Sequence, residues 1–67
     1  MNIHNAIRHI EAALETEMIT HINIVKSPRG YVVQAMDATA IADDAEAQSL
    51  EDALLELGEV YKEYLRE

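Results

Sequence analysis

The chain has 67 residues, 49% of them hydrophobic, with no Cys, Trp or Phe and a formal net charge of −8 at pH 7. This length predicts one domain, and the lack of cysteine excludes a disulfide framework. The excess of acid argues against direct binding to nucleic acid or to anionic membranes, which attract basic protein faces. No apolar run approaches the roughly 20 residues of a membrane span, and polar residues follow the first Met closely, so we expect a cytoplasmic protein.

The first segment has the periodicity of an amphipathic helix. Its apolar residues recur at alternating steps of four and three, at Ile3, Ile7, Ile10 and Leu14. Asn2 can cap the start of this helix, and the helix should end near Thr16, where alternating residues take over.

An alternating segment followed by a tight turn predicts a β-hairpin. Between Met18 and Lys26, one face of the first strand should carry Met18, Thr20, Ile22 and Ile24. The turn is "SPRG", in which Pro28 has a fixed φ and Gly30 stands where a positive φ is often needed. The second strand is "YVVQAMDA", and its pattern allows either Tyr31 and Val33 or Val32 and Met36 to face the core.

Residues 37–48 allow two interpretations. They form either a third strand carrying Ile41 or an early helix start capped by Asp43, with Glu46 three residues later. We expect the strand, because Ser49 with Asp52 three positions on is a better helix start, directly before a clean apolar periodicity.

The last segment predicts a long helix. Its apolar stripe consists of Leu50, Leu54, Leu57, Tyr61 and Tyr64, and cations at Lys62 and Arg66 suit the C-terminal end of the helix dipole. The predicted fold is therefore a small α+β domain of the order αβββα. An antiparallel sheet of three strands, or of two, packs on one face against both helices.

No pattern in the chain indicates catalysis or metal binding. There is no cysteine nucleophile or glycine-rich phosphate loop, since the two glycines are Gly30 and Gly58. His4 and His9 are five residues apart on a helix, which rotates them by about 140° and keeps them off one ligand face. We expect no enzyme, no catalytic residue, no metal and no cofactor.

The apolar side of the last helix predicts a homodimer interface, because a short, Ala-rich chain has little core in which to bury it. The predicted interface residues are Leu57, Gly58, Val60, Tyr61 and Tyr64. Gly58 costs about 1 kcal/mol relative to Ala in a helix. Close approach of another backbone, from the sheet or from a partner subunit, would explain this glycine; a neutral, tolerated residue is the alternative.

Acidic side chains form the candidate partner-binding surface. The predicted members are Asp43, Asp44, Glu46, Glu51, Asp52, Glu56, Glu59 and Glu63. Carboxylates at helical pitch can occupy the positions that phosphates would take in a basic, nucleic-acid-binding groove. An acidic face that only keeps a small domain soluble produces the same pattern.

Part of the chain resembles the core of HicB-type antitoxins, in which a three-stranded sheet runs into a helix. The resemblance rests on "AEAQSLEDALLELGEVYKEYL", where a Ser or Thr cap is followed by a Glu/Asp-Ala-Leu step, and it covers roughly residues 19–65. The chain departs from that pattern at Ala47, where the family tends to have Gly, and it lacks the Pro-Gly loop between strands. This resemblance implies an antitoxin-type regulator.

The whole chain also resembles very short, acidic, phage-encoded proteins, including anti-CRISPR inhibitors. Some of these have the order helix, three strands, helix and begin much as "MNIHNAIRHIE" does. The resemblance is one of size, charge and element order. It implies a non-enzymatic inhibitor of a basic, nucleic-acid-binding partner in a host cytoplasm. A dimeric accessory protein whose charge serves only solubility is the alternative.

Overall fold

The computed structural model describes residues 1–65 and has the element order helix, three strands, helix. The elements are α1 (Ile3–Glu15), β1 (His21–Ser27), β2 (Gly30–Asp37), β3 (Ala40–Ala47) and α2 (Leu50–Tyr64). The strands form one antiparallel sheet in the order β1-β2-β3. The αβββα prediction is confirmed, and residues 40–47 form a third strand and not an early helix start. Arg66, predicted as a cation near the end of the last helix, lies outside the described residues.

Local side-chain hydrogen bonds set the start of both helices. Asn2 Oδ1 accepts a hydrogen bond from the backbone N–H of Asn5 at 2.9 Å, and Ser49 Oγ accepts one from Asp52 N–H at 3.1 Å. Each cap satisfies a backbone donor that has no partner within its helix, a contribution of about 1 kcal/mol. Both predicted caps are confirmed.

The end of α1 is closed by a Schellman motif. Beyond the C-cap Thr16, Glu17 N–H donates to Leu14 O at 3.1 Å and Met18 N–H donates to Ala13 O at 2.9 Å. Glu17 has a left-handed φ of 62° at the position that glycine usually occupies. A side chain in this conformation costs roughly 1–2 kcal/mol.

This motif corrects the predicted start of the first strand. β1 begins at His21, not at Met18, because the residues before it are used in closing the helix. Strand alternation therefore does not apply there: Ile19 enters the core with 1% exposure, whereas Met18 is 38% exposed.

The strand register assigns every side chain of the sheet to one of two faces. The face covered by the helices carries Ile22, Ile24, Lys26, Tyr31, Val33, Ala35, Asp43, Ala45 and Ala47. The other face, here called the open face, carries His21, Asn23, Val25, Val32, Gln34, Met36, Ile41, Asp44 and Glu46. Of the two orientations predicted for β2, the structure has the one in which Tyr31 and Val33 are on the face towards the helices. A bulge at Ala42 keeps the two halves of β3 in register with β2.

The two helices share one layer but do not cover the sheet equally. α2 lies on β2 and β3, and α1 packs chiefly along α2. At their closest approach, a Cβ added to Gly58 would lie 2.6 Å from Ala6 Cα. The backbone that approaches Gly58 is thus α1 of the same chain. Because the small-residue side of α1 faces α2, Ile7 of the predicted core stripe is left 43% exposed.

Among the residues described, neither helix is long and apolar enough to cross a membrane. The core lies between the helices and the sheet, and its largest fully buried side chains are Tyr61, Ile19, Leu57 and Val33.

Candidate partner-binding surface

Four exposed carboxylates form a row along the outer side of α2. Asp52, Glu56, Glu59 and Glu63 are spaced by four, three and four residues and are all exposed. At 3.6 residues per turn they fall within about 60° of the helix circumference, on the side away from Ala53 and Leu57. We call these four residues the carboxylate row.

Glu51 does not belong to this row. It lies about 100° round the helix from Asp52, on the flank that Gly58 shares. Because Gly58 contacts Ala6 of α1, Glu51 points along the helix-helix boundary and not outward with the row. The predicted acidic face of α2 is therefore narrower than the sequence suggested.

The three acidic residues of β3 are divided between the two faces of the sheet. Asp44 and Glu46 are exposed on the open face, where Glu46 Oε2 accepts a hydrogen bond from Ser27 Oγ at 3.3 Å. Asp43 is half-buried on the helix side. Since α2 lies on the opposite side of the sheet from Asp44 and Glu46, no single flat surface presents all eight predicted residues.

Asp43 has a structural partner inside the protein. Tyr61 Oη donates a hydrogen bond to Asp43 Oδ2 at 2.8 Å, which joins α2 to β3. Burial, followed by this hydrogen bond and the negative charge of Asp43, raises the pKa of the Tyr61 hydroxyl well above its ordinary value. Tyr61 therefore stays neutral and keeps donating this hydrogen bond across the physiological pH range.

Sequence reasoning missed this role of Asp43, although a signal was present. Adjacent strand residues point to opposite faces, so Asp43 and Asp44 could not both be on the surface that faces away from the helices. The pattern Asp-Asp-Ala-Glu-Ala puts Asp43 on the same face as Ala45 and Ala47, which is the apolar one.

The predicted dimer interface on α2 is largely inside one chain. Leu57 and Tyr61 are 0% exposed and Gly58 is buried, whereas Val60 is half-buried and Tyr64 is 54% exposed. The Tyr64 ring packs edge-on against Tyr61, with ring centroids 5.7 Å apart. Only Val60 and Tyr64 present surface that another molecule could cover.

Over residues 1–65, no cluster of three or more His, Asp or Glu side chains is arranged to hold a metal ion. Comparison with known protein families, with characterised proteins and with solved structures finds no match to this chain.

Proposed function

We propose that the protein is a non-enzymatic acidic interaction protein. In this proposal the carboxylate row binds a basic surface of a partner protein, and binding inhibits or regulates that partner. The observation that supports it is the alignment of four exposed carboxylates on one side of α2, a rigid element anchored by Tyr61 to the sheet. A backbone that is already held in a helix loses little conformational freedom on binding, which favours association.

The spacing of the row indicates which partner surface it fits. Its four charges extend over about 16 Å of helix, one for about every 5.5 Å, whereas each strand of a DNA duplex carries one per 3.4 Å. The row is thus sparser than a nucleic-acid strand. A groove that binds nucleic acid would accept it through a few of its Lys and Arg side chains, and further contacts would have to supply the remaining affinity.

Tyr64 and Val60 are placed to supply such contacts. They lie on α2 about 80° and 40° round from Glu56, on the flank opposite to Glu51. An exposed tyrosine beside charged residues is typical of the residues that contribute most to protein-protein binding. The proposed surface is therefore the carboxylate row together with this apolar flank.

A charge-reversal pair tests the proposal. The row variant Glu56→Lys/Glu59→Lys and the sheet-face variant Asp44→Lys/Glu46→Lys change the net charge equally but alter opposite sides of the molecule. Each protein is immobilised and exposed to extract of the cells that encode it, at low and at high salt. We expect one protein to be retained by the wild type and by the sheet-face variant at low salt, and lost with the row variant.

Added duplex DNA distinguishes the kind of partner. If the row occupies a nucleic-acid-binding groove, DNA should release the retained protein in proportion to its concentration. Retention that is the same for both variants, or unchanged by salt, would mean that the acidic residues serve only solubility.

A further inference from the structure

The two edges of the sheet differ in their protection against pairing with another strand. β3 carries Asp43, Asp44 and Glu46 and a bulge at Ala42, all devices that discourage edge-to-edge pairing. β1 has no acidic residue, its register with β2 is unbroken over His21–Ser27, and its one charged residue, Lys26, stands near its end. β1 is thus the edge that remains open to pairing.

β1 also exposes apolar side chains on both of its faces. Val25, on the open face, is 46% exposed, and Ile24, on the helix side, is 54% exposed. Ile24 is uncovered because α2 lies on β2 and β3 while α1 packs chiefly along α2. A strand of seven residues presents about 23 Å of edge, along which alternate backbone N–H and C=O groups lack a strand partner.

We propose that β1 pairs antiparallel with β1 of a second copy of this chain, which joins two sheets into one of six strands. An antiparallel arrangement about a two-fold axis is closed, so each copy contributes the same strand and assembly stops at two. It would cover Ile24 and Val25 on both copies and provide partners for the edge backbone groups.

Charge along β1 supports a second copy as the occupant. Glu17 and Asp37 lie near the beginning of the strand, whereas Lys26 and Arg29 lie at its end, together with the single carboxylate of Glu46. Antiparallel pairing brings the acidic end of one copy to the basic end of the other, twice by symmetry. The carboxylates of β3 and of the carboxylate row stay on the far side of each copy.

The backbone conformation of Glu17 is an independent indication of this dimer. Its φ of 62° favours glycine, so the glutamate stands there at a local conformational cost. A contact of the Glu17 carboxylate with the basic end of β1 in the partner copy would offset that cost. This interface differs from the one predicted on α2, and it does not cover the carboxylate row.

Two isoleucines provide a matched test. Ile24 on β1 and Ile41 on β3 are 54% and 52% exposed, and each is replaced by Lys. By sedimentation, we expect the wild type and Ile41→Lys to be dimers. For Ile24→Lys, we expect the dissociation constant of the dimer to rise at least about tenfold, because the two added cations meet near the two-fold axis. A wild type that is monomeric at about 100 μM, or equal effects of both substitutions, would overturn the proposal.

Hydrogen exchange tests the interface without any substitution. Raising the concentration of the wild type should slow exchange of the β1 amides that point outward, and leave β3 amides unchanged. Protection of β3, or no dependence on concentration, would overturn the proposal even if Ile24→Lys failed to fold.

A charge exchange tests the contribution of Glu17 together with Asp37. Glu17→Lys/Asp37→Lys should weaken the dimer, and adding Lys26→Glu and Arg29→Glu to the same chain should restore it, because the beginning of β1 then carries the cations and its end the carboxylates. Equal weakening by both variants would overturn the proposed pairing of the two ends.

Discussion

Tyr61 both packs in the core and forms a hydrogen bond between two elements. Its ring is fully buried in the core, and its hydroxyl donates to Asp43 across the boundary between α2 and β3. A buried aromatic side chain contributes packing, and its hydroxyl removes the cost of a half-buried carboxylate that would otherwise lack a protein partner. Tyr61 therefore holds α2 on the sheet through both packing and a hydrogen bond.

Tyr61→Phe is expected to lower the free energy of unfolding by roughly 1–3 kcal/mol, because Asp43 loses its donor while the ring volume is kept. Tyr64→Phe is the matched control: its ring is 54% exposed, and its substitution should change stability by less than about 0.5 kcal/mol. Urea denaturation of the three proteins at pH 7 measures the difference.

The wild type and Tyr61→Phe should also differ in how their stability depends on pH. Because the folded state raises the pKa of Tyr61, the unfolded chain loses this proton first. The stabilisation is complete below the ordinary tyrosine pKa of about 10 and is lost as the pH rises above it. Wild-type stability should therefore fall more steeply above that pH than the stability of Tyr61→Phe; parallel curves would contradict the assigned role.

At the scale of elements, the contact between the helices depends on one missing methyl group. Gly58 of α2 lies against Ala6 of α1, whose Cα and Cβ would each be 2.6 Å from an added Cβ. Ala6 is itself fully buried, and one of those two atoms is backbone, so the helices would have to separate to admit a side chain. The cost of glycine in α2 is offset by this close packing.

Gly58→Ala is therefore expected to destabilise the fold by about 1–3 kcal/mol through overpacking. On an exposed helix the same substitution would stabilise by about 1 kcal/mol, so the sign of the effect decides between the two explanations. Thermal unfolding followed by circular dichroism provides the measurement. Adding Ala6→Gly should recover part of the loss, since it removes one of the two obstructing atoms.

At the scale of the whole molecule, charge acts against compactness. Thirteen acidic residues face five basic ones in a chain whose radius of gyration is 11.1 Å. Two like charges 10 Å apart in water repel by about 0.4 kcal/mol. Repulsion summed over many such pairs is a cost of the acidic surface that the proposed partner would relieve on binding.

Salt should accordingly stabilise the free protein. Between 0.1 and 1 M NaCl the screening length falls from about 10 to about 3 Å, and we expect the urea midpoint to rise. The row variant Glu56→Lys/Glu59→Lys has a net charge of −4, from −8 plus two changes of +2, and should respond less. The sheet-face variant Asp44→Lys/Glu46→Lys has the same net charge and should match it; a large difference between the two would contradict a general charge effect.

The sequence by itself determined the features that depend on interactions between neighbouring residues, namely the helix caps, the hairpin turn and the element order. Asn2 and Ser49 cap the helices through hydrogen bonds to residues three positions away, and the "SPRG" turn closes the first hairpin, with Gly30 at a φ of 152°. Such interactions need only neighbouring residues, so the order αβββα could be predicted. The start of β1 was wrong because a glutamate, not the usual glycine, occupies the left-handed position after α1.

Only the tertiary structure decided which residue pairs with Asp43 and which backbone approaches Gly58. The carboxylate of Asp43 is taken up by Tyr61, which is 18 residues away in the chain, and Gly58 meets α1 from the other end of the sequence. The exposure of Ile24 likewise follows from where α2 lies on the sheet. These features depend on contacts between distant segments. A pattern that repeats every two or four residues can place Asp43 on the apolar face of β3, but it cannot identify which distant residue it meets.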